Sequence, residues 1–163
     1  MKGIREEYRS AKQALASRQS EENYKELISA CYEVLVYHRE LCRENEFAGT
    51  LQLYEDTALS FWRQYKTAES LCHLVHFYGD WQILDYFNWL PDRKHHLLKG
   101  LGYVREYHRM EDADYSAALF VRHYLSLCET CRSGEQEEQL SYARAANRCP
   151  KVICQDIRYL RMA

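Results

Sequence analysis

The sequence predicts an all-α protein, and three observations carry that prediction. Apolar residues recur at spacings of three and four from end to end of the chain, the period of one helix face. Glycine and proline number only 6 and 2 in 163 residues, too few for the turns of a many-stranded sandwich or barrel. Residues suited to helix starts, Ser20, Thr50, Asp80, Asp112 and Ser133, precede the periodic stretches. The expected architecture is seven to nine antiparallel helices, as stacked hairpins in a short α-solenoid or as an irregular bundle.

Ile4, Tyr8, Ala11 and Leu15 mark the apolar face of a first helix. Ser20 caps a second, which carries Leu27, Cys31, Leu35, His38 and Cys42 on one stripe and five glutamates on the other, and which runs to about Asn45. Thr50 is expected to cap a third helix with Leu51, Tyr54, Ala58, Phe61, Trp62 and Tyr65 facing inward; a fourth follows through Leu71, Cys72, Val75 and Phe77 to Gly79. Asp80 then caps a short fifth helix. Pro91, Gly100 and Gly102 predict two short helices around a bend over residues 91–111. From about Ala113 to Arg132 the pattern is apolar nearly all round: Ala117, Ala118, Val121, Tyr124, Leu125 and Cys128 make the broad face, and Arg122, Ser126 and Glu129 the solvated strip. Ser133 and Gln136 read as a capping box for a helix to about Arg148, and Pro150 suits the first turn of a last one.

A chain of 163 residues is long enough to bury one core, so residues 1–163 are expected to form a single domain. Hydrophobic residues make 47% and charged residues 28% of it, near globular averages. No apolar run reaches the roughly 18 residues of a membrane span, and the stretch from Met1 to Glu7 lacks the apolar core of a signal peptide; a cytoplasmic location away from membranes follows. Seven cysteines without an export signal point to reduced thiols rather than a disulfide framework. A net charge of −2 gives no global attraction to nucleic acid.

Residues 68–84 resemble part of a tetratricopeptide repeat, a pair of antiparallel helices. Ala68, Leu71, Cys72 and Val75 fall at its first-helix positions, Gly79-Asp80-Trp81 resembles its inter-helix turn, and Leu84 takes its small apolar position. Asn88 and Pro91 depart from the pattern, and no second copy stands in register elsewhere. The resemblance implies stacked hairpins and a protein-binding role, and carries over no binding residue.

Four groups of residues could carry chemistry or binding. Cys128-Glu129-Thr130-Cys131, followed after 17 residues by Cys149-Pro150-Lys151-Val152-Ile153-Cys154, could close a four-thiolate structural zinc site, although Cys128 also fits a buried apolar stripe. His73, His76 and Asp80 fall near one helix edge, a spacing able to hold a metal; Asp80 is equally a cap. Arg144, Arg148, Lys151, Arg158 and Arg161 form a basic C-terminal excess, and Val152–Leu160 is similar to the recognition helix of some winged helix-turn-helix regulators, with too short a link before it. Finally, 14 Tyr, 5 Phe and 3 Trp make an aromatic excess, densest at Tyr54, Trp62, Tyr65, Tyr78, Trp81, Tyr86 and Trp89, which would suit a partner-binding surface. Phosphate-cradling glycine loops, His-Glu-x-x-His and nucleophile elbows are absent from the sequence. The reading is a non-enzymatic adaptor or scaffold that binds a protein or itself through aromatics; the alternative is a nucleic-acid regulator using the basic end, with zinc as its structural support.

Overall fold

The computed structural model describes residues 2–40, 44–80, 93–110 and 113–148. Among these the protein is all-α, with seven helices and no strand: α1 (Lys2–Ser17), α2 (Glu21–Glu40), α3 (Glu44–Tyr65), α4 (Ala68–Gly79), α5 (Arg93–Met110), α6 (Ala113–Thr130) and α7 (Gln136–Arg148). By packing, the chain falls into two compact units, Met1–Leu90 and Pro91–Ala163, each with its own buried residues.

In the first unit each helix packs on the next in the chain, α1 on α2, α2 on α3 and α3 on α4. The turns explain why they fold back so tightly. Ser20 caps α2 as its sequence position predicts, accepting from the Asn23 backbone N–H at 3.3 Å. Asn23 in turn donates its side-chain amide to the carbonyls of Ala14 and Arg18, at 3.1 and 2.8 Å, which ties the start of α2 to the end of α1. The α3–α4 turn is only two residues long. Lys66 adopts a left-handed conformation (φ 54) and its N–H reaches the Trp62 carbonyl at 3.1 Å. Thr67 then caps α4: its hydroxyl accepts from the Ser70 N–H at 3.2 Å, and the Ser70 hydroxyl oxygen accepts from the Thr67 N–H at 3.1 Å, a reciprocal capping box.

Two boundaries differ from the sequence pattern. Asn45, the expected end of α2, and Thr50, the expected cap of α3, both fall within α3, which includes Glu44, six residues before Thr50. Thr50 lies inside α3, buried, with its hydroxyl donating to the Glu46 carbonyl at 2.9 Å. A threonine that bonds back one turn is as compatible with a helix interior as with its start, so its type alone misplaces the boundary.

The core of this unit is aromatic. Tyr24 of α2 stacks on Phe61 of α3 (centroids 5.2 Å apart, planes within 5°), and Tyr54 of α3 meets Phe77 of α4 edge-on at 5.0 Å. Leu27, Cys31 and Leu35 of α2 and Leu71, Leu74 and Val75 of α4 are buried with them. The helix ends are tied as well: the Gln19 carbonyl accepts from the Tyr65 hydroxyl at 3.1 Å and from the Gln64 amide at 3.2 Å, so the α1–α2 turn is pinned to the end of α3.

In the second unit α5 packs on α6 and α6 on α7. Residues 93–110 form one continuous helix, not two around a bend. Leu97, Gly100, Leu101 and Val104 fall on one buried face. Burying the three large side chains contributes about 1.5–3 kcal/mol each, which outweighs the roughly 1 kcal/mol that each glycine costs a helix. α6 sits between two neighbours; among its described side chains Leu119, His123, Ser126 and Leu127 are buried and Ala118, Val121, Tyr124, Leu125 and Cys128 half-buried, while the side chain of Ala117 lies outside the described ones. Ser126, expected in the wet strip, is thus inside. His123 is wholly buried with Nδ1 2.8 Å from the Leu119 carbonyl; since a carbonyl only accepts, Nδ1 carries the proton. Leu97, Leu101 and Leu127 form the centre, covered by Phe120, Tyr124 and Tyr142.

The expected short helix after Asp80 and the last helix from Pro150 lie outside the described residues. Among the described residues, no helix is long and apolar enough to cross a membrane.

Candidate functional site

Among the described residues, a polar constellation gathers at the α6–α7 turn, and the chain geometry there explains it. After Thr130 the helix tightens, with the Cys131 N–H on the Cys128 carbonyl at 3.4 Å, and Gly134 takes φ 114, a conformation side-chain-bearing residues rarely adopt. Glu135 then stands at the N-cap of α7: its carbonyl accepts from the Gln139 N–H at 3.0 Å, and its Oε2 accepts from the Arg132 N–H at 3.1 Å. The expected Ser133–Gln136 box is therefore displaced by two residues, because Gly134 reverses the chain only after Ser133.

Glu135 at the N-cap and Glu138 three positions on share a face, and both meet Lys94 of α5, whose ammonium lies 3.6 Å from Glu135 and 2.6 Å from Glu138. Glu138 also accepts from the Tyr142 hydroxyl at 2.8 Å. Alongside, Arg93 reaches Glu129 at 3.3 Å. The ionic partners tune one another. The hydrogen bond from Lys94 holds the Glu138 carboxyl below the usual range, and that same bond raises Lys94. Partial burial, then Glu138 itself, pushes the Tyr142 phenol up to about 12. Placing Arg93 and Lys94 in the first turn of α5 sets cations against the positive end of that helix. The three glutamates of the neighbouring helices offset this.

Cys131 belongs to the same cluster. Its Sγ, one oxygen of Glu135 and one of Glu138 lie within 4.8 Å of one another, and among the described residues this is the group whose donor atoms converge as metal ligands would. Sequence reasoning missed it: the signal is a Cys-x3-Glu-x2-Glu spacing across a turn, undistinguished without the fold, and Lys94 lies 44 residues before Glu138.

The chain matches no known protein family, no curated protein and no solved structure.

The residues singled out by sequence are distributed as follows. Of the aromatic set, Tyr54, Trp62 and Tyr78 are core residues, 7%, 7% and 0% exposed. Their spacing matched a helix face because it is the face packed inward. The Tyr78 hydroxyl donates to Glu55, and burial followed by the Asp80 carboxylate raises the Tyr54 phenol. Tyr65 is half-buried, pinned by its hydroxyl to Gln19 and by its ring edge to Phe61 at 5.3 Å. Trp81, Tyr86 and Trp89 lie outside the described residues.

Of the basic set, Arg144 and Arg148 are exposed one turn apart on α7; Lys151, Arg158 and Arg161 lie outside the described residues. Of the cysteines, Cys128 and Cys131 are half-buried, and Cys149 and Cys154 lie outside. Cys128 donates to the Gln139 carbonyl at 3.6 Å, and burial raises its thiol, which leaves less of the thiolate that redox chemistry requires. Burial likewise pushes the Cys31 thiol up to about 12. His73 is half-buried with its ring 5.8 Å from Phe61, His76 is exposed, and Asp80 ends α4 as its C-cap. Burial lowers the His73 imidazole below its ordinary value.

Proposed function

We propose that the protein is a non-catalytic adaptor or scaffold, a helical-hairpin platform that binds a protein partner. The observation that carries the reading is the order of packing: in each unit, every helix rests on the one that follows it. Helical hairpins packed in chain order present continuous outer helix faces, and arrays built this way serve recognition. The resemblance of residues 68–84 to a tetratricopeptide hairpin supports the same reading, as does Tyr32, a large aromatic 40% exposed on α2. In the second unit Leu98, Met110 and Leu140 are similarly exposed, at 43%, 41% and 53%. Single exposed apolar residues are ordinary on protein surfaces; on this architecture these side chains mark where contact area can be gained. We place this role in the cytoplasm, in keeping with Cys31, Cys128 and Cys131, which form no disulfide.

The test uses Tyr32→Ala and Leu140→Ala in the full chain. Partner binding falls while the melting temperature is unchanged, because both side chains are exposed. If every partner is retained by both variants and by Leu98→Ala and Met110→Ala, the platform does not bind through its exposed apolar residues. Trp62→Ala is unsuitable for this purpose, since it excavates the core.

A second reading, nucleic-acid binding, is supported by the exposed guanidiniums of Arg144 and Arg148 at adjacent turns. It predicts an affinity that falls steeply with salt, by a logarithmic slope of about −0.9 for each phosphate neutralised. Binding insensitive to salt between 50 and 200 mM, about the range over which phosphate contacts weaken most visibly, contradicts it.

A further inference from the structure

We propose that the α6–α7 turn is a binding site for a thiophilic divalent cation of the zinc class, with Cys131, Glu135 and Glu138 as its protein ligands and Lys94 as the cation it displaces. This ligand set differs from the four-thiolate arrangement that cysteine spacing suggests, and it needs neither Cys149 nor Cys154.

Three observations carry it. First, the donors converge: one sulfur and two carboxylate oxygens from three residues lie within 4.8 Å of one another, all half-buried. In a tetrahedral zinc site, with Zn–S about 2.3 Å and Zn–O about 2.0–2.2 Å, such donors stand roughly 3.5 Å apart, so closure needs about 1 Å of side-chain movement. Second, the backbone that presents them is braced. The Gln139 side chain donates to the Cys128 carbonyl at 3.3 Å while Cys128 donates to the Gln139 carbonyl, and the Glu135 N–H bonds the Arg132 carbonyl at 3.0 Å. α6 and α7 are thus clamped on both sides of the turn, and little ordering remains to be done on binding. Third, a cation already occupies the place. The Lys94 ammonium, brought from another helix, sits between the two carboxylates.

The donor types select the ion. Calcium and magnesium take oxygen ligands and gain nothing from a thiolate, whereas zinc accepts thiolate and carboxylate together. A doubly charged ion between Glu135 and Glu138 outcompetes one ammonium, and the long Lys94 side chain can swing into solvent. Cys131 loses its proton to the buffer on coordination, which makes binding weaken as pH falls. Three protein ligands leave the fourth position to water.

The test is titration of the reduced full-length chain with Zn2+ against a chromophoric chelator, and with Co2+, read by the thiolate-to-cobalt charge-transfer band. The expected results are a band that is absent in Cys131→Ser, Zn2+ affinity lower by roughly tenfold or more in Cys131→Ser and in Glu135→Gln/Glu138→Gln, and affinity severalfold higher in Lys94→Met, which removes the competing cation. Helical circular dichroism confirms that each variant is folded. Cys149→Ser/Cys154→Ser binds as the parent does. Loss of binding in Cys149→Ser/Cys154→Ser overturns the assignment in favour of the four-thiolate site. Absence of a charge-transfer band in the parent chain, or affinity unchanged in both Cys131→Ser and Lys94→Met, overturns it outright.

Discussion

Phe61→Ala should be the most damaging single truncation in the first unit. Phe61 is 0% exposed and joins three helices: it stacks on Tyr24 of α2 at 5.2 Å, and from α3 it touches the His73 ring of α4 at 5.8 Å. Removing a buried phenyl ring costs roughly 3–5 kcal/mol, part transfer free energy and part cavity. The upper half of that range applies here, because a site walled by rigid aromatic rings collapses poorly. Against a total stability on the order of 5–15 kcal/mol for a domain, this is a large fraction. With a urea dependence of roughly 1.5 kcal/mol per molar, a loss in that upper half moves the midpoint by about 3 M. Circular dichroism and tryptophan fluorescence, which includes the neighbouring Trp62, read the transition. A double-mutant cycle of Tyr24→Leu with Phe61→Leu isolates the stack, expected at about 0.5–1.5 kcal/mol of coupling. A loss below about 1 kcal/mol for Phe61→Ala, or zero coupling, would refute the packing argument.

Three further outcomes follow from the local geometry. Gly49→Ala and Gly102→Ala, where an added Cβ meets nothing within 4 Å, should each stabilise by about 0.5–1 kcal/mol in thermal unfolding, whereas Gly134→Ala at φ 114 should destabilise by roughly 1–3 kcal/mol; the same sign for all three contradicts the backbone assignment. Thr67→Ala removes half of the α4 capping box and should cost about 1 kcal/mol, with Thr67→Ser close to the parent; equal losses in both would mean that the methyl group rather than the hydroxyl matters. Burial holds the His73 imidazole below its ordinary pKa near 6.5, so the unfolded chain binds the proton more readily; stability conferred by neutral His73 is complete above that value and is lost as pH falls toward the folded-state value. Denaturant midpoints measured downward from about pH 7 should therefore fall less in His73→Gln than in the parent, and parallel profiles would contradict this.

The helices themselves were legible because their signal is periodic and local. Leu27, Cys31 and Leu35, or Leu71 and Val75, announce a buried stripe whatever packs on it. Boundaries resting on residue type fared less well. Thr50 and Ser133 look like caps, yet Thr50 bonds back within α3 and Gly134 passes the cap on to Glu135. Gly100 and Gly102 suggested a break that the burial of Leu97, Leu101 and Val104 overrides, a tertiary gain that local propensity cannot register. The aromatic positions were recognised as a set, but sequence does not tell which side of a helix meets a neighbour; Tyr54, Trp62 and Tyr78 turn inward. The Cys131–Glu135–Glu138 cluster was invisible for another reason. It depends on a φ of 114 at Gly134 and on a lysine delivered from a distant helix.

The adaptor reading is tested most directly by replacing Tyr32 with the photo-crosslinking residue p-benzoylphenylalanine and irradiating the chain in an extract of its own cells, alongside sedimentation of the purified protein. A discrete covalent adduct is expected, either with one partner protein or with a second copy, that is competed away by unlabelled parent chain and not by Tyr32→Ala. A monomer that forms no competable adduct from position 32, 98, 110 or 140 would contradict it.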